Sequence, residues 1–472
     1  MFIGCHAFYE SMSILFILLG QCGNQIGNEF ANTICQVLSQ LKQKIALGDQ
    51  NGKFRHLYNL IADKFFFSNV IGNLDLKCLK IKSISIDTEW KTQVKNGCGR
   101  YKSNDAVYWY RDDEHILVKS NNGCSNNWAV GYKINGPNIM NQLMNKIRRI
   151  HEELGTSLDV SIIICMSMSG GTGSGIGSLL NERIRETYPK IFLMNHIIFP
   201  HSCGDITVQS YNCLFSLSKI YYLSDFILVS KNDNLLQLSW RLNDTMSFIP
   251  NDKNKSNQVS HSNRLDLSFR QINQTISSQL ASLLIPYYKF DTKFIYQSLP
   301  LADIRESLQT YSHKFTSCYM SPLISKDAKI FENPTWLSLL NDISHQTSDY
   351  FCPFKKKLLL YMYGTNLANE KVTKELFNSN SNKYKLFIQS KPQFRYSFYN
   401  PMPLIDKSMT CLTNFDADLI SRFDDTISQA WQLYNSKFYI HHYFRYGIEC
   451  EDFVQMFVQN EDILHKYQKI VH

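Results

Sequence analysis

With 472 residues, 44% apolar and 13% aromatic, the chain is long enough for two or three domains and can bury a large core, which excludes a disordered protein. Its net charge of +8 is spread thinly and forms no dense basic stripe of the kind a nucleic-acid binder carries. Thirteen cysteines without one C-x-x-C pair fit neither a zinc knuckle nor a disulfide framework and suit a reducing compartment, and no apolar run nears the roughly 18 residues of a membrane span.

Residues 1–12 read as a frayed extension, with Met12 as a second candidate start. The apolar core 14–19 is too short and too poorly flanked for a signal peptide and reads as a buried strand. Further short apolar runs at 81–86, 160–166, 191–199 and 226–229 read as strands covered on both faces, and amphipathic stretches alternate with them. That alternation predicts an α/β fold with a mostly parallel sheet to about residue 231. The Asn-rich "NDKNKSNQVSHSN" (251–263) reads as an exposed loop before a strong helix at 265–284. "NSNSNKYK" (378–385) reads the same way. It lies in the most basic stretch, 371–395, which is a solvated insertion first and a surface for an acidic partner second. From Asp416 to Gly447, a natural stop, apolar residues recur three and four apart, and a second helix at 451–467 closes the chain as a helical hairpin.

"ICMSMSGGTGSGIGSLLNERI" (164–184) places Gly170, Gly171, Gly173, Gly175 and Gly177 between a buried strand and a helix beginning at Ser178. Linkers do not stand in that context. Glycine loops there let backbone N–H groups converge on an anion, and the helix N-terminus adds partial positive charge. Thr172 and Ser174 add hydroxyl donors. The spacing lacks the Lys-Ser/Thr of a P-loop, and Ser178 stands where a dinucleotide fingerprint has its third glycine, so the loop belongs to neither common kind.

"GGTGSGIGSLL" resembles the signature loop of the tubulin family, and "GQCGNQIGNEF" (20–30) resembles its first loop and helix. The resemblance continues through "DTEWKTQV", "CSNNWAVGY", "DITVQSYN", "SKNDNL" and "FRQINQ" and covers about residues 13 to 470. Within the family, "NNWAVGYKINGP", "KNDNL", "SFRQINQTISSQLASLL" and "SKFYIHHYFRYGIECEDF" look most like the delta class. The chain ends "HKYQKIVH" without an acidic tail, which with the positive net charge argues against an ordinary lattice subunit. The resemblance implies a Rossmann-like parallel sheet with helices on both faces over 13–231. A long central helix and a second α/β domain would fill 232–405, and a C-terminal helical domain 406–472.

It also implies a site for GTP or GDP with Mg²⁺. Gln21, Cys22 and the 169–174 loop (Ser169, Gly170, Gly171, Thr172, Gly173, Ser174) would meet phosphates, and Gln25 would point toward the base. Asp87 and Glu89 would stand beside the terminal phosphate and the metal, for which carboxylates are suitable ligands; without the resemblance they are ordinary surface acids. Trp90 replaces the usual Pro, and Ser125, before the phosphate-contacting Asn126, replaces the usual Gly, so affinity falls if Ser125 cannot adopt a glycine conformation. Asp205 and Gln209 would contact ribose. Asn232 and Asn273 would read guanine, with Phe269 stacked on it; in the bland reading Phe269 is a core residue of its helix.

For hydrolysis, "LADIRESL" (301–308) matches the helix that a neighbouring subunit docks over the terminal phosphate, with Glu306 on the catalytic position and Asp303 as its neighbouring acid; a solvated helix face is the plainer reading. The resemblance therefore implies contacts with other tubulins or microtubule ends, no nucleic acid and no membrane span. It also implies work at the centriole or basal body in triplet microtubules, with hydrolysis completed between subunits. The alternative is a nucleotide-locked capping or regulatory protein without GTPase activity. NAD chemistry is disfavoured by the glycine spacing.

Overall fold

A computed structural model describes residues 13–49, 52–67, 79–88, 108–109, 115–117, 123–154, 160–201, 206–233, 235, 261–285, 288–291, 294–297, 300–308, 313–322, 334–347, 356–364, 393–397, 400 and 406–471. Residues 1–12, Glu89, Trp90, Asp205, most of the loop 251–263, the segment 378–385 and most of the basic stretch 371–395 lie outside the described residues.

The strands are β1 (Ser13–Leu19), β2 (Leu79–Lys80), β3 (Ser83–Asp87), β4 (Tyr108–Trp109), β5 (His115–Leu117), β6 (Val160–Ser167), β7 (Phe192–Phe199), β8 (Phe226–Lys231), β9 (Tyr288–Asp291), β10 (Phe294–Gln297), β11 (Phe315–Ser321), β12 (Leu358–Gly364), β13 (Gln393–Ser397) and β14 (Lys407–Thr413). The helices are α1 (Gly20–Gly48), α2 (Lys53–Phe65), α3 (Gly136–Leu154), α4 (Gly177–Thr187), α5 (Gln209–Leu223), α6 (His261–Leu284), α7 (Pro300–Leu308), α8 (Trp336–Thr347), α9 (Ala417–Asn435), α10 (His441–Phe444) and α11 (Cys450–Val471). Two π-helical turns, Val130–Asn135 and Thr172–Ile176, lead into α3 and α4.

Ten strands form one sheet in the order β13-β12-β14-β11-β8-β7-β6-β1-β3-β5. From β8 to β5 every pairing is parallel. Each of the five runs read as strands falls in this part. The run 81–86 is the one displaced: Ile81 bridges Phe66 and Lys82 N–H donates to Phe65 O, so the chain turns before β3 begins at Ser83. β11 continues the sheet in parallel, Phe315 opposite Ile227, and β14 and β12 then run antiparallel.

The continuous apolar reading of β1 follows from cover on both faces. Ile14, Phe16 and Leu18 point into one cluster with Ile26, Phe30 and Ile34 of α1 and Ile272 and Ile276 of α6. Leu15, Ile17 and Leu19 point into the other, with Leu180 of α4, Leu214 of α5 and Phe453 and Phe457 of α11. Each such side chain contributes about 1.5–3 kcal/mol by leaving water.

The helix read at 265–284 begins earlier, at His261. The run 416–447 is not one helix. Asp416 caps α9, accepting from Leu419 N–H at 3.2 Å. α9 ends in a Schellman turn: Lys437 takes φ 55°, Phe438 N–H donates to Leu433 O at 2.9 Å and Lys437 N–H to Tyr434 O at 2.9 Å. A second such turn, at Gly447 with φ 74°, follows the short α10, with Ile448 N–H on Tyr443 O and Gly447 N–H on Phe444 O. The closing hairpin is therefore α9 against α11, Trp431 stacked on Phe457 at 3.8 Å, with α10 inserted between them along the chain.

Candidate functional site

Open parallel sheets place ligands beyond the carboxyl ends of their strands. Here the ends of β3, β1 and β6, three neighbours in the sheet, bring Asp87, the 20–25 turn and the 168–174 loop together. Gly20 takes φ 66° to turn the strand into α1, and a Cβ added to it would stand 3.7 Å from Gly173 N and from Thr172 Cβ. The next glycine, Gly23, lies against the β6 end, where a Cβ would stand 2.3 Å from Cys165 O. Gln21 is exposed and Cys22 half-buried. Burial pushes the Cys22 thiol up to about 12, so it is no thiolate. Neither α1 nor the π turn at Thr172 has a side-chain cap or an acid in its first turn. Their leading N–H groups are left to a ligand or solvent, with the positive ends of both helices beside them.

The helical coil after β6 starts at Thr172, six residues before the expected Ser178, because the 172–176 turn is π-helical. Its glycines serve close packing. A Cβ on Gly171 would meet Asn127 N and O at 2.6 Å, and one on Gly175 would meet Trp128 O at 2.4 Å. Gly170 differs: the nearest atom to its Cβ would be Asn126 Oδ1 at 3.8 Å. Ser174 is buried, its hydroxyl on Gly170 O, so its backbone N–H is what it offers. The neighbouring loop takes the conformation that Gly would: Ser125 has φ 47° and Asn126 φ 51°.

Asp87 is buried at the end of β3 and accepts from Thr88 N–H at 2.7 Å. Thr88 Oγ1 lies 2.9 Å from Thr172 Oγ1, closing the β3 end onto the glycine loop. Asp87, Thr88 and Thr172 present oxygen atoms only, which fits a hard cation such as Mg²⁺. Among the described residues no cluster of three or more His, Cys, Asp or Glu has metal-binding geometry, so a metal here would take its remaining ligands from phosphates and water.

On the other side of the loops, Gln209 opens α5 and donates through Nε2 to His201 O at 2.9 Å. Asn232 follows β8, between Lys231 and Asp233. Asn273 of α6 reaches Gln25 Oε1 of α1 at 3.5 Å, so these two amides are brought together. Phe269, one turn earlier on α6, is 47% exposed and is not a core residue. Glu306 is exposed on α7, opposite the face that buries Leu301, Ile304 and Leu308.

Three residues with no role in the sequence reading hold the loops. Asn24 donates to Gly20 O at 2.8 Å and Ile86 O at 3.2 Å and accepts from the Ser85 hydroxyl, joining α1 to β3. Asn212 donates to Asn126 O at 2.7 Å and Ser169 O at 2.8 Å, joining the 124–127 and 169–174 loops. Trp128 stacks between Tyr132 at 4.4 Å and Phe215 at 4.8 Å beneath them. The legible signal was polarity in the wrong place: Asn212 and Ser216 stand on a helix that is buried along nearly its whole length.

Residues 13–239 match the family described as Tubulin/FtsZ family, GTPase domain. Along 97% of its length the chain is 28% identical to the tubulin delta chain of Macaca fascicularis, 27% to that of Homo sapiens and 26% to that of Canis lupus familiaris, covering 99% of each. The loops at the ends of β1 and β6 thus lie inside the matched region: residues 13–239 form a Tubulin/FtsZ-family GTPase domain, and along nearly its whole length the chain is similar to tubulin delta chains.

Proposed function

We propose that the chain binds GTP or GDP with Mg²⁺ in this cleft and acts as a delta-type tubulin, in or on the microtubules of the centriole and basal body. The carrying observation is the convergence of two uncapped helix starts, at Gly20 and Thr172, on one space walled by Asp87, Thr88 and Asn126. Backbone N–H groups of the 20–23 and 170–174 turns take the phosphates. Asp87, with Glu89, would hold the cation, which would supply neutralisation of phosphate charge. Asp205 and Gln209 meet the ribose, and Asn232, Asn273, Gln25 and Phe269 surround the base. The similarity along 97% of the chain to delta chains supports the cytoskeletal assignment and other tubulins as partners.

Glu306, exposed on α7, is available to a neighbouring subunit's cleft, which supports hydrolysis completed between chains. A second reading, a capping protein that holds nucleotide without hydrolysing it, is favoured by Gln209, whose amide is held by the His201 carbonyl and carries no charge. The test is to denature the purified chain, identify the released nucleotide by chromatography, and then assay phosphate release with other tubulins added. GTP or GDP in the extract, with hydrolysis that appears on mixing and vanishes in Glu306→Ala, is the expected result. Nucleotide without hydrolysis selects the capping reading, and an empty extract that cannot be loaded ends both.

A further inference from the structure

The amide of Asn212 is saturated. Besides its two donated bonds to Asn126 O and Ser169 O, its Oδ1 accepts from Trp128 N–H at 2.8 Å and from the Tyr443 hydroxyl at 2.7 Å. Both residues are wholly buried. Rotating the amide by half a turn would set two donors against two donors and two carbonyls against a carbonyl oxygen, so the partners fix one orientation. One of the two donors that specify it belongs to α10, 231 residues away in the chain. The same helix makes a second bond to this region: Asn127 Nδ2 donates to His442 O at 3.0 Å. Burial pushes the Tyr443 hydroxyl well above its usual range, so it remains a donor at any physiological pH.

We propose that Asn212 and Tyr443 are positioning residues for nucleotide binding: Asn212 fastens the 124–127 loop to the 169–174 loop, and Tyr443 fixes the amide that does so. Nucleotide retention is then coupled to the docking of the 436–448 segment, and the coupling is reciprocal. The inference rests on the nucleotide-binding reading of the cleft.

Tyr443→Phe removes one hydroxyl and keeps the ring that stacks on Phe215 at 5.7 Å and meets Phe453 edge-on at 5.5 Å. Release of a fluorescent GDP from the full chain should be about tenfold faster than in wild type, the loss of one buried hydrogen bond to an ordered amide. The control is Tyr467→Phe in α11, equally buried, whose hydroxyl accepts from Phe315 N–H at 2.7 Å far from the loops. It should lower the melting temperature comparably and leave release unchanged. Equal melting losses with unchanged release in both variants overturn the proposal. Should Tyr443→Phe not fold, hydrogen exchange on wild type decides. GDP loading is expected to slow exchange over 438–446 as well as over 169–174, and protection confined to the loops overturns the proposal. Wild-type protein that takes up no GDP overturns the nucleotide reading itself, and this inference with it.

Discussion

Replacing Lys231 by Met tests the packing of the C-terminal hairpin onto the sheet. Lys231 ends β8 with its side chain 7% exposed, and its ammonium lies 2.7 Å from Asp416 Oδ2 and 2.7 Å from Asp418 Oδ2. Asp416 is the cap of α9 and also accepts from the Ser317 hydroxyl at 2.6 Å and the Tyr319 hydroxyl at 2.8 Å. Burial works to raise the Asp416 carboxyl, but the Lys231 charge and these donors outweigh it and hold the carboxyl below its usual range. Removing the cation from a buried pair costs about 3–5 kcal/mol, because the remaining charge is uncompensated. The hydroxyl donors and the Leu419 N–H stay in place, so about 3 kcal/mol is the expectation here. The measurement is urea unfolding followed by circular dichroism at pH 7 and pH 5. In wild type the depressed carboxyl contributes stability that is present above its unfolded pKa and lost as pH falls through the folded one. In Lys231→Met burial dominates, the folded pKa rises above the unfolded one, and the deficit against wild type shrinks from pH 7 to pH 5. A loss below about 1 kcal/mol, or a deficit that does not change with pH, would refute the assignment of this pair.

Gly170→Ala and Gly171→Ala should separate two kinds of glycine. The first meets nothing closer than 3.8 Å and should keep wild-type stability while weakening nucleotide retention, whereas the second drives a Cβ to 2.6 Å from Asn127 backbone and should cost about 1–3 kcal/mol in a thermal melt. Ser125→Gly should stabilise the chain by about 0.5–1 kcal/mol in urea titration, since φ 47° strains any residue with a Cβ. His196 is buried beside Ser230, and burial lowers its pKa to about 3. A folded pKa below the unfolded one means stability is present above about pH 6.5 and lost progressively toward pH 3, by about 3–5 kcal/mol in all, and His196→Asn should flatten that acid limb.

The parallel sheet was legible because strands covered on both faces cannot alternate: 14–19 is apolar in every residue and 160–166 in all but the buried Ser161. The two loops were legible because glycine clusters at a strand end are rare. What the glycines do was less so. They were read as openings for an anion, yet a Cβ on Gly171 or Gly175 would collide with the 127–131 backbone. The left-handed turn at Lys437 is illegible because Lys carries no sign of it, while Gly447 marks the equivalent turn in the sequence itself. Asn212–Tyr443 and Lys231–Asp416 join residues 231 and 185 positions apart, and no local pattern encodes such a partnership.

Those long-range ties bear on what the matched region 13–239 can do alone. One face of its sheet is closed by α6, whose Ile272, Ile276 and Leu280 pack among the side chains of β1 and α1. The other is closed by α9 and α11, where Phe453 meets Tyr211 at 5.2 Å and Phe215 at 4.9 Å. All of these covering helices lie beyond residue 239. Without them α5 would present Tyr211, Phe215 and the Oδ1 of Asn212 to water, and the amide that joins the two loops would lose one of the donors that orient it. The phosphate end of the cleft is therefore written in the first half of the chain and held in shape by the second, which also brings Asn273 to Gln25. A partner that shifts α10 would act on the loops through Tyr443 and Asn127 without touching the nucleotide.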